Sequence, residues 1–309
     1  MPILGIVNAS KSNFRGVAGY VAGGSNGTVR VNGIDKITFP ADTKTTIAGV
    51  LSSAKTKGAG FANSSVAGYA AGGLSAATAD YVSTIDRVAF PADTVTTLSA
   101  TLSVAVNAPA GFANSAVAGY SAGGYGTSYN SFIDKITFPA ETRTTLVATL
   151  STTLDTGSGF ANSGVAGYVA GGENGTYYSR IDKITFSADT RSTLSATLTS
   201  ARNETASFAN SGVAGYVAGG NDGTNNLSGI DKITFPADTK TTLSATLTGI
   251  IYHSAGFANS GVAGYVAGGT TITDRIDKIT FPADTKTTLS AVLTVAVTRC
   301  YGFADSGVL

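Results

Sequence analysis

The chain has no tryptophan, one cysteine (Cys300), one histidine (His253) and a single methionine at its start, among 309 residues, and each shortage closes a class of function. A lone cysteine has no intramolecular disulfide partner, and with one histidine no Cys/His zinc site can be assembled. The same scarcity leaves no partner set for a Ser/His/Asp or Cys/His relay, so His253 reads as a surface residue. Charge is also sparse: 13% of residues, 20 basic against 19 acidic, leave no footprint for nucleic acid or an anionic membrane. No stretch approaches the roughly 18 apolar residues of a membrane span, and the first residues lack the basic and apolar regions of a signal peptide. The expectation is a protein without membrane insertion or export signal.

What the chain does have is glycine, 39 residues, with 43% hydrophobic residues, a balance that predicts folding rather than disorder. It also has a repeat. Gly-Tyr-x-Ala-Gly-Gly occurs six times, with tyrosines at Tyr20, Tyr69, Tyr120, Tyr168, Tyr216 and Tyr265, spaced 49, 51, 48, 48 and 49 residues apart. Ile-Asp-Lys-Ile-Thr-Phe-Pro-Ala-Asp-Thr, or a close variant, begins at Ile34, Ile85, Ile133, Ile181, Ile230 and Ile276. Phe-Ala-Asn-Ser begins at Phe61, Phe112, Phe160, Phe208 and Phe257, and returns as Phe-Ala-Asp-Ser at Phe303.

Each unit reads as four short strands: one around Phe61-Ala62-Asn63, then 66–73, 85–90 and 97–102, the last with Leu98, Ala100 and Leu102 alternating against Thr97, Ser99 and Thr101. Four strands every 49 residues or so predict the blades of a propeller. The chain opens on a second strand and ends on the missing first one, so the C-terminal strand is expected to complete the N-terminal blade. That one-plus-three closure removes open sheet edges. The prediction is all-β: a six-bladed β-propeller of four-stranded antiparallel blades over residues 16–309 as one domain, with residues 1–15 as a leader and attachment arm.

Tyr-Val-Ala-Gly-Gly, a variable hairpin, Ile-Asp-x-Ile and a fourth strand about ten residues on resemble the kelch-type β-propeller repeat, over roughly residues 16–309. That family's usual fourth-strand tryptophan is replaced here by Leu98, Leu146, Leu194, Leu243 and Leu289, with Ile47 in the first unit. Short, near-identical units bearing Gly-Tyr-x-x-Gly-Gly and Ile-Asp-Lys-x-x-Phe-x-x-Asp-Thr are similar to the degenerate kelch-like repeats of aquatic bacteriophage tail and fibre-associated structural proteins. The resemblance implies a virion or extracellular setting. The copper chemistry of some kelch-type oxidases, which uses two histidines, is excluded by the single His253.

Comparison of the units separates fixed from free positions. The insert between Gly-Gly and Ile-Asp has 9, 11, 8, 8, 9 and 6 residues and wanders in sequence. The residues before each Phe also change completely, from Lys55-Thr56-Lys57 to Ile251-Tyr252-His253, although their number does not. In an up-and-down blade both regions emerge on one face, which predicts a constant scaffold side and a diversified side, where binding usually sits. The candidate ligand-binding residues are Tyr81, Tyr125, Tyr129, Tyr177, Tyr178, Arg180, Asn225, Asn226, Tyr252 and Arg275. Aromatic faces stack on sugars and serve as protein anchors, while amides and Arg supply directed hydrogen bonds.

The acids at Asp35, Asp86, Asp134, Asp182, Asp231 and Asp277 read as caps for neighbouring backbone rather than a cation ring. Those at Asp42, Asp93, Glu141, Asp189, Asp238 and Asp284 read as solvated turn partners of the basic residue two positions on. No catalytic residue, metal or cofactor is predicted. The expected function is a non-enzymatic recognition module contacting a host surface glycan or protein receptor and other virion proteins. The alternative is a structural assembly protein, a decoration or filament subunit that could form homo-oligomers.

Overall fold

The computed structural model describes residues 17–270 and 272–306, and every regular element among them is a strand. Six four-stranded antiparallel sheets succeed one another as the blades of a six-bladed β-propeller. Blade 2 serves as the pattern, with strands Ala59–Asn63, Ala67–Ala71, Ile85–Ala89 and Val95–Thr97 from the axis outward. Blades 3 to 6 repeat it with innermost strands Ala110–Asn114, Ser158–Asn162, Ala206–Asn210 and Ala255–Asn259. Blade 1 is composite: Tyr301–Ala304 pairs with Ala18–Ser25, placing Phe303 opposite Tyr20 and Tyr301 opposite Ala22. The expected closure is therefore present, and the Val17 N–H donating to the Asp305 carboxylate at 2.6 Å pins its end. The expected leader lies outside the described residues.

The repeated phrases are explained by contacts between blades. The Phe of each innermost strand lies over the Gly of the next blade's second strand so closely that a Cβ on Gly68 would meet the Phe303 ring at 2.0 Å. Only glycine fits there. Each Tyr of the second strand is then sandwiched, as Tyr168 is between Phe160 at 5.1 Å and Phe235 of the following blade at 5.2 Å.

The turn acids are the first correction. They do not pair with the basic residue two positions on; each reaches back to the preceding blade, as Asp238 accepts from Tyr168 Oη at 2.8 Å and from Lys183 Nζ at 2.6 Å. The last such joint, Tyr265 and Lys278 onto Asp42 at 2.8 and 2.5 Å, closes the ring. The third-strand acids act as caps: Asp182 accepts from Ser151 N at 2.7 Å, Ser151 Oγ at 2.8 Å and Thr193 Oγ1 at 2.6 Å.

The outer strand is the second correction. It runs Val95–Thr97 instead of 97–102. Leu98 N still donates to Ile85 O at 2.9 Å, but the chain then turns across the blade and next bonds through Leu102 N to Ser83 O. The alternation of Leu98, Ala100 and Leu102 is real as burial, Leu102 being covered, without being a strand. A period of two reports which side chains face inward, and a ladder needs a partner strand as well.

Candidate functional site

The inserts and the inter-blade linkers share one face because they pair with each other there. Asn107 exchanges two backbone hydrogen bonds with Tyr125, Asp155 with Glu173 and Asn203 with Asn221; Lys55–Thr56 pairs with Leu74–Ser75, and Thr298 with Ser25. The linker length is constant because of a second arrangement. Lys57, Ala108, Thr156, Glu204, His253 and Arg299 all lie in the left-handed region, with φ between 51° and 61°. Their N–H groups form a closed cycle around the axis: Lys57 to Arg299 O at 2.8 Å, Ala108 to Lys57 O at 2.6 Å, and so on through Thr156, Glu204 and His253 to Arg299. A cycle of six bonds tolerates any side chain but no change in length.

Below this crown runs the axial channel, a cavity of about 100 Å³ walled by the innermost strands, with Gly60, Gly111, Gly159, Ser207, Gly256 and Gly302 at one level. It is narrow because neighbouring strands touch: a Cβ on Gly111 would lie 2.2 Å from Gly60 O. At the crown itself a pit of about 90 Å³ is lined by Lys57, Thr156, Glu204, His253, Ser254 and Arg299, among others. Lys57 and Glu204 stand three positions apart in a six-membered cycle, so their 3.3 Å ion pair spans the mouth. His253 Nε2 rests against the same Glu204 carboxylate. Burial pushes the His253 imidazole down to about 4, against the pull of Glu204, so it is neutral at pH 7. Although burial pushes the Glu204 carboxyl up, His253 and Lys57 hold it below its ordinary value.

The residues expected to bind fall around this mouth on the hairpins, Asn225 exposed and the other nine half-buried. They meet in small groups rather than one cluster. Tyr81, Tyr125 and Tyr129 form an edge-to-face row across blades 2 and 3, with ring centroids 5.9 and 5.0 Å apart. Tyr178 carries the Arg180 guanidinium 3.9 Å over its ring and donates to Asn174 Oδ1 at 2.7 Å. Arg180 Nε and Nη2 are buried without a hydrogen-bond partner. Tyr177 reaches blade 5, where a Cβ on Gly223 would meet its ring at 2.8 Å. Asn226 Oδ1 accepts from Asn221 Nδ2 at 2.6 Å, and the Asn225 N–H donates to Asp222. Tyr252 lies beside His253, and Arg275 Nε is 3.9 Å from Asp277.

Three features of this face escaped the sequence reading. His253 is buried, its side chain 7% exposed, rather than a surface residue. Lys55 and Arg202 occupy the same linker position three units apart and are buried on Asp86 and Asp231 at 3.2 and 2.9 Å. Burial lowers the pKa of both cations. The crown was the third; its signal was a segment that varies in sequence and never in length. Asp155 beside Glu173 is also unusual, pushed up to about 6 by burial and then by the Glu173 charge.

A ring of blades with one diversified face defines the class: a β-propeller of the kind that commonly serves as a binding scaffold. Compared with known proteins, the chain matches no protein-family model. No curated protein is significantly similar to it. Among the described residues no group of three or more His, Cys, Asp or Glu could hold a metal ion. Among the described residues no helix is long and apolar enough to cross a membrane.

Proposed function

We propose that this propeller is a non-enzymatic recognition module whose variable face holds a host surface glycan or receptor, as part of a bacteriophage tail or fibre. One observation carries the reading: the crown of the face has the same backbone six times over, hydrogen-bonded in a closed cycle, while its side chains and the inserts around it differ from blade to blade. A rigid frame with free side chains is what diversified binding needs. Supporting it, among the described residues Arg180 Nε and Nη2, Arg202 Nε, Asn203 Oδ1, Ser254 Oγ and Thr298 Oγ1 are buried on this face without a hydrogen-bond partner. The phage setting rests on the repeat resemblance alone. Replacing Tyr177, Tyr178 and Arg180 together with Ala is expected to weaken binding to host cells and to an immobilised glycan panel at least about tenfold. Unchanged binding in both assays would reject the face.

A second reading, a structural assembly subunit, is favoured by the opposite face. There Val17, Val66, Val117, Val165 and Val213 stand 43–60% exposed at equivalent turns, beside exposed Pro-Ala turns such as Pro91-Ala92. Repeated exposed apolar groups suit contact between copies. Sedimentation of the wild type against Val66→Lys/Val117→Lys/Val165→Lys decides it: an oligomer lost in the variant supports assembly, and a monomer in both removes it.

A further inference from the structure

We propose that the crown of the axial mouth is the docking site for the carboxylate of an acidic saccharide, held by Arg299 and Lys57; this rests on the recognition reading above. Among the described residues three sets of equivalent left-handed positions carry side chains: the base turns, the turn acids and the crown. At the base turns Ser65 and Ala116 have Gly164, Gly212 and Gly261 as their equivalents, so glycine is used in three of these five blades. At the turn acids, with φ of 50–56°, the side chain is retained because it bonds a Tyr and a basic residue of the neighbouring blade. The crown has neither excuse: in a chain with 39 glycines it has none at these six positions, and its six side chains are all different. Non-glycine residues in this region are strained and cluster at functional sites, and five of these six carry a side chain larger than the methyl of Ala108. Their side chains line the pit and make no joint shared by the six blades.

The charge of the pit selects the ligand. Lys57 and Glu204 neutralise each other across the mouth, His253 is uncharged on Glu204, and Arg299 is exposed with no acid partner among the described residues. Among the side chains that line the pit, one positive charge is left over. Arg299 follows Lys57 directly in the cycle, so an anion placed on the guanidinium fork also meets the Lys57 ammonium. Ser254 Oγ lines the same pit, buried and without a partner. At about 90 Å³ the pit admits a carboxylate and its adjoining carbons. Tyr252 adjoins the pit residue His253, with ring centroids 5.0 Å apart, and supplies an aromatic ring of the kind that stacks on the apolar side of a sugar.

The test is calorimetric titration of the full chain with D-glucuronic acid, D-glucose, sodium acetate and a tetraglutamate peptide. Glucuronate is expected to bind at least about tenfold more tightly than the other three. Arg299→Gln is expected to remove that preference without moving the thermal midpoint, and Arg191→Gln, on the outer strand of blade 4, to leave it intact. The proposal is overturned if glucose matches glucuronate, if acetate or the peptide binds as well, if no titrant binds, or if Arg299→Gln is silent. Should Arg299→Gln be silent while the Tyr177/Tyr178/Arg180 variant loses cell binding, recognition stands and the carboxylate site falls. Arg299-dependent glucuronate binding without any cell or glycan-panel binding would do the reverse.

Discussion

Ring closure can be measured by making the same cut in a closing and a continuous part of the ring. Phe303 and Phe208 occupy equivalent positions, each fully buried. Phe303 stacks on Tyr20 at 5.5 Å and lies against Gly68; Phe208 stacks on Tyr216 at 5.0 Å and lies against Gly264. Their surroundings match, but Phe208 is tied into the chain on both sides while Phe303 is held six residues from the C-terminus. Truncating a buried Phe to Ala costs about 3–5 kcal/mol when the site is packed at all times. If the closing strand is docked as firmly as its equivalents, Phe303→Ala and Phe208→Ala should each cost that amount and agree within about 1 kcal/mol. Urea unfolding followed by tyrosine fluorescence, in a chain without tryptophan, gives both values. A cost below about 1 kcal/mol for Phe303→Ala beside a full cost for Phe208→Ala would refute closure, because a strand that is usually undocked has little packing to lose.

Two further predictions use the repeats as their own controls. Lys55 has Leu154 at the equivalent position of blade 4, and Asp86 keeps Ser52 N at 3.1 Å, Ser52 Oγ at 2.9 Å and Thr97 Oγ1 at 2.8 Å without it. Lys55→Leu should therefore change stability by less than about 1 kcal/mol, whereas Asp86→Ala, which strands a buried ammonium, should cost about 3–5 kcal/mol; similar losses in urea unfolding would contradict this. Asp155 has Asn107 and Asn203 as its equivalents. It holds its proton in the fold up to about pH 6. In the unfolded chain it ionises near pH 4, so the native state binds more protons between these values and stability falls as pH rises through that window. Asp155→Asn should then stabilise the protein by about 1–3 kcal/mol at pH 7.5 and do little at pH 4; an equal gain at both pH values would show that ionisation is not the cause.

The parts of this fold that were legible in the sequence are those that repetition imposes. A Phe that must lie on a neighbour's Gly, and a Tyr that must reach a neighbour's acid, recur six times because six blade joints are alike, and the period exposes them. What period alone cannot carry is the identity of the partner. Asp238 follows Tyr168 by 70 residues, so a reading confined to neighbouring positions paired the turn acid with the nearest base instead. The alternating Leu98–Leu102 run had the burial pattern of a strand but departs from the third strand after Leu98 N bonds Ile85 O. On the variable face, the shared side of inserts and linkers follows from the up-and-down order of the strands, while the contact of His253 is with Glu204, 49 residues earlier and unlike any other residue at its position.

A chain of six near-identical units also has to select its own last strand, since any Ala-Gly-Phe-Ala-Asn segment offers blade 1 the same backbone. The closing strand differs from that pattern at two positions, and both differences make contacts. Tyr301, where the others have Ala or Ser, is fully buried, donates its hydroxyl to Gly72 O at 2.8 Å, and lies 5.6 Å beneath Lys55 Nζ. Asp305, in place of Asn, accepts the Val17 N–H at 2.6 Å. Gly58 and Gly73 leave the room for Tyr301, a Cβ on either falling 2.2 or 2.1 Å from its ring or hydroxyl. Lys55, buried on Asp86, touches the closing strand through the Tyr301 ring alone, and a buried charge is better suited to specifying a partner than to adding stability. Tyr301→Ala with Asp305→Asn should leave a chain that still closes in dilute refolding. At high concentration the closing strand has lost what marks it, and copies are expected to complete one another's first blade, giving dimers and larger species by light scattering that the wild type does not form. Equal monomer yields for variant and wild type across a hundredfold range of concentration would show that chain connectivity alone selects the strand.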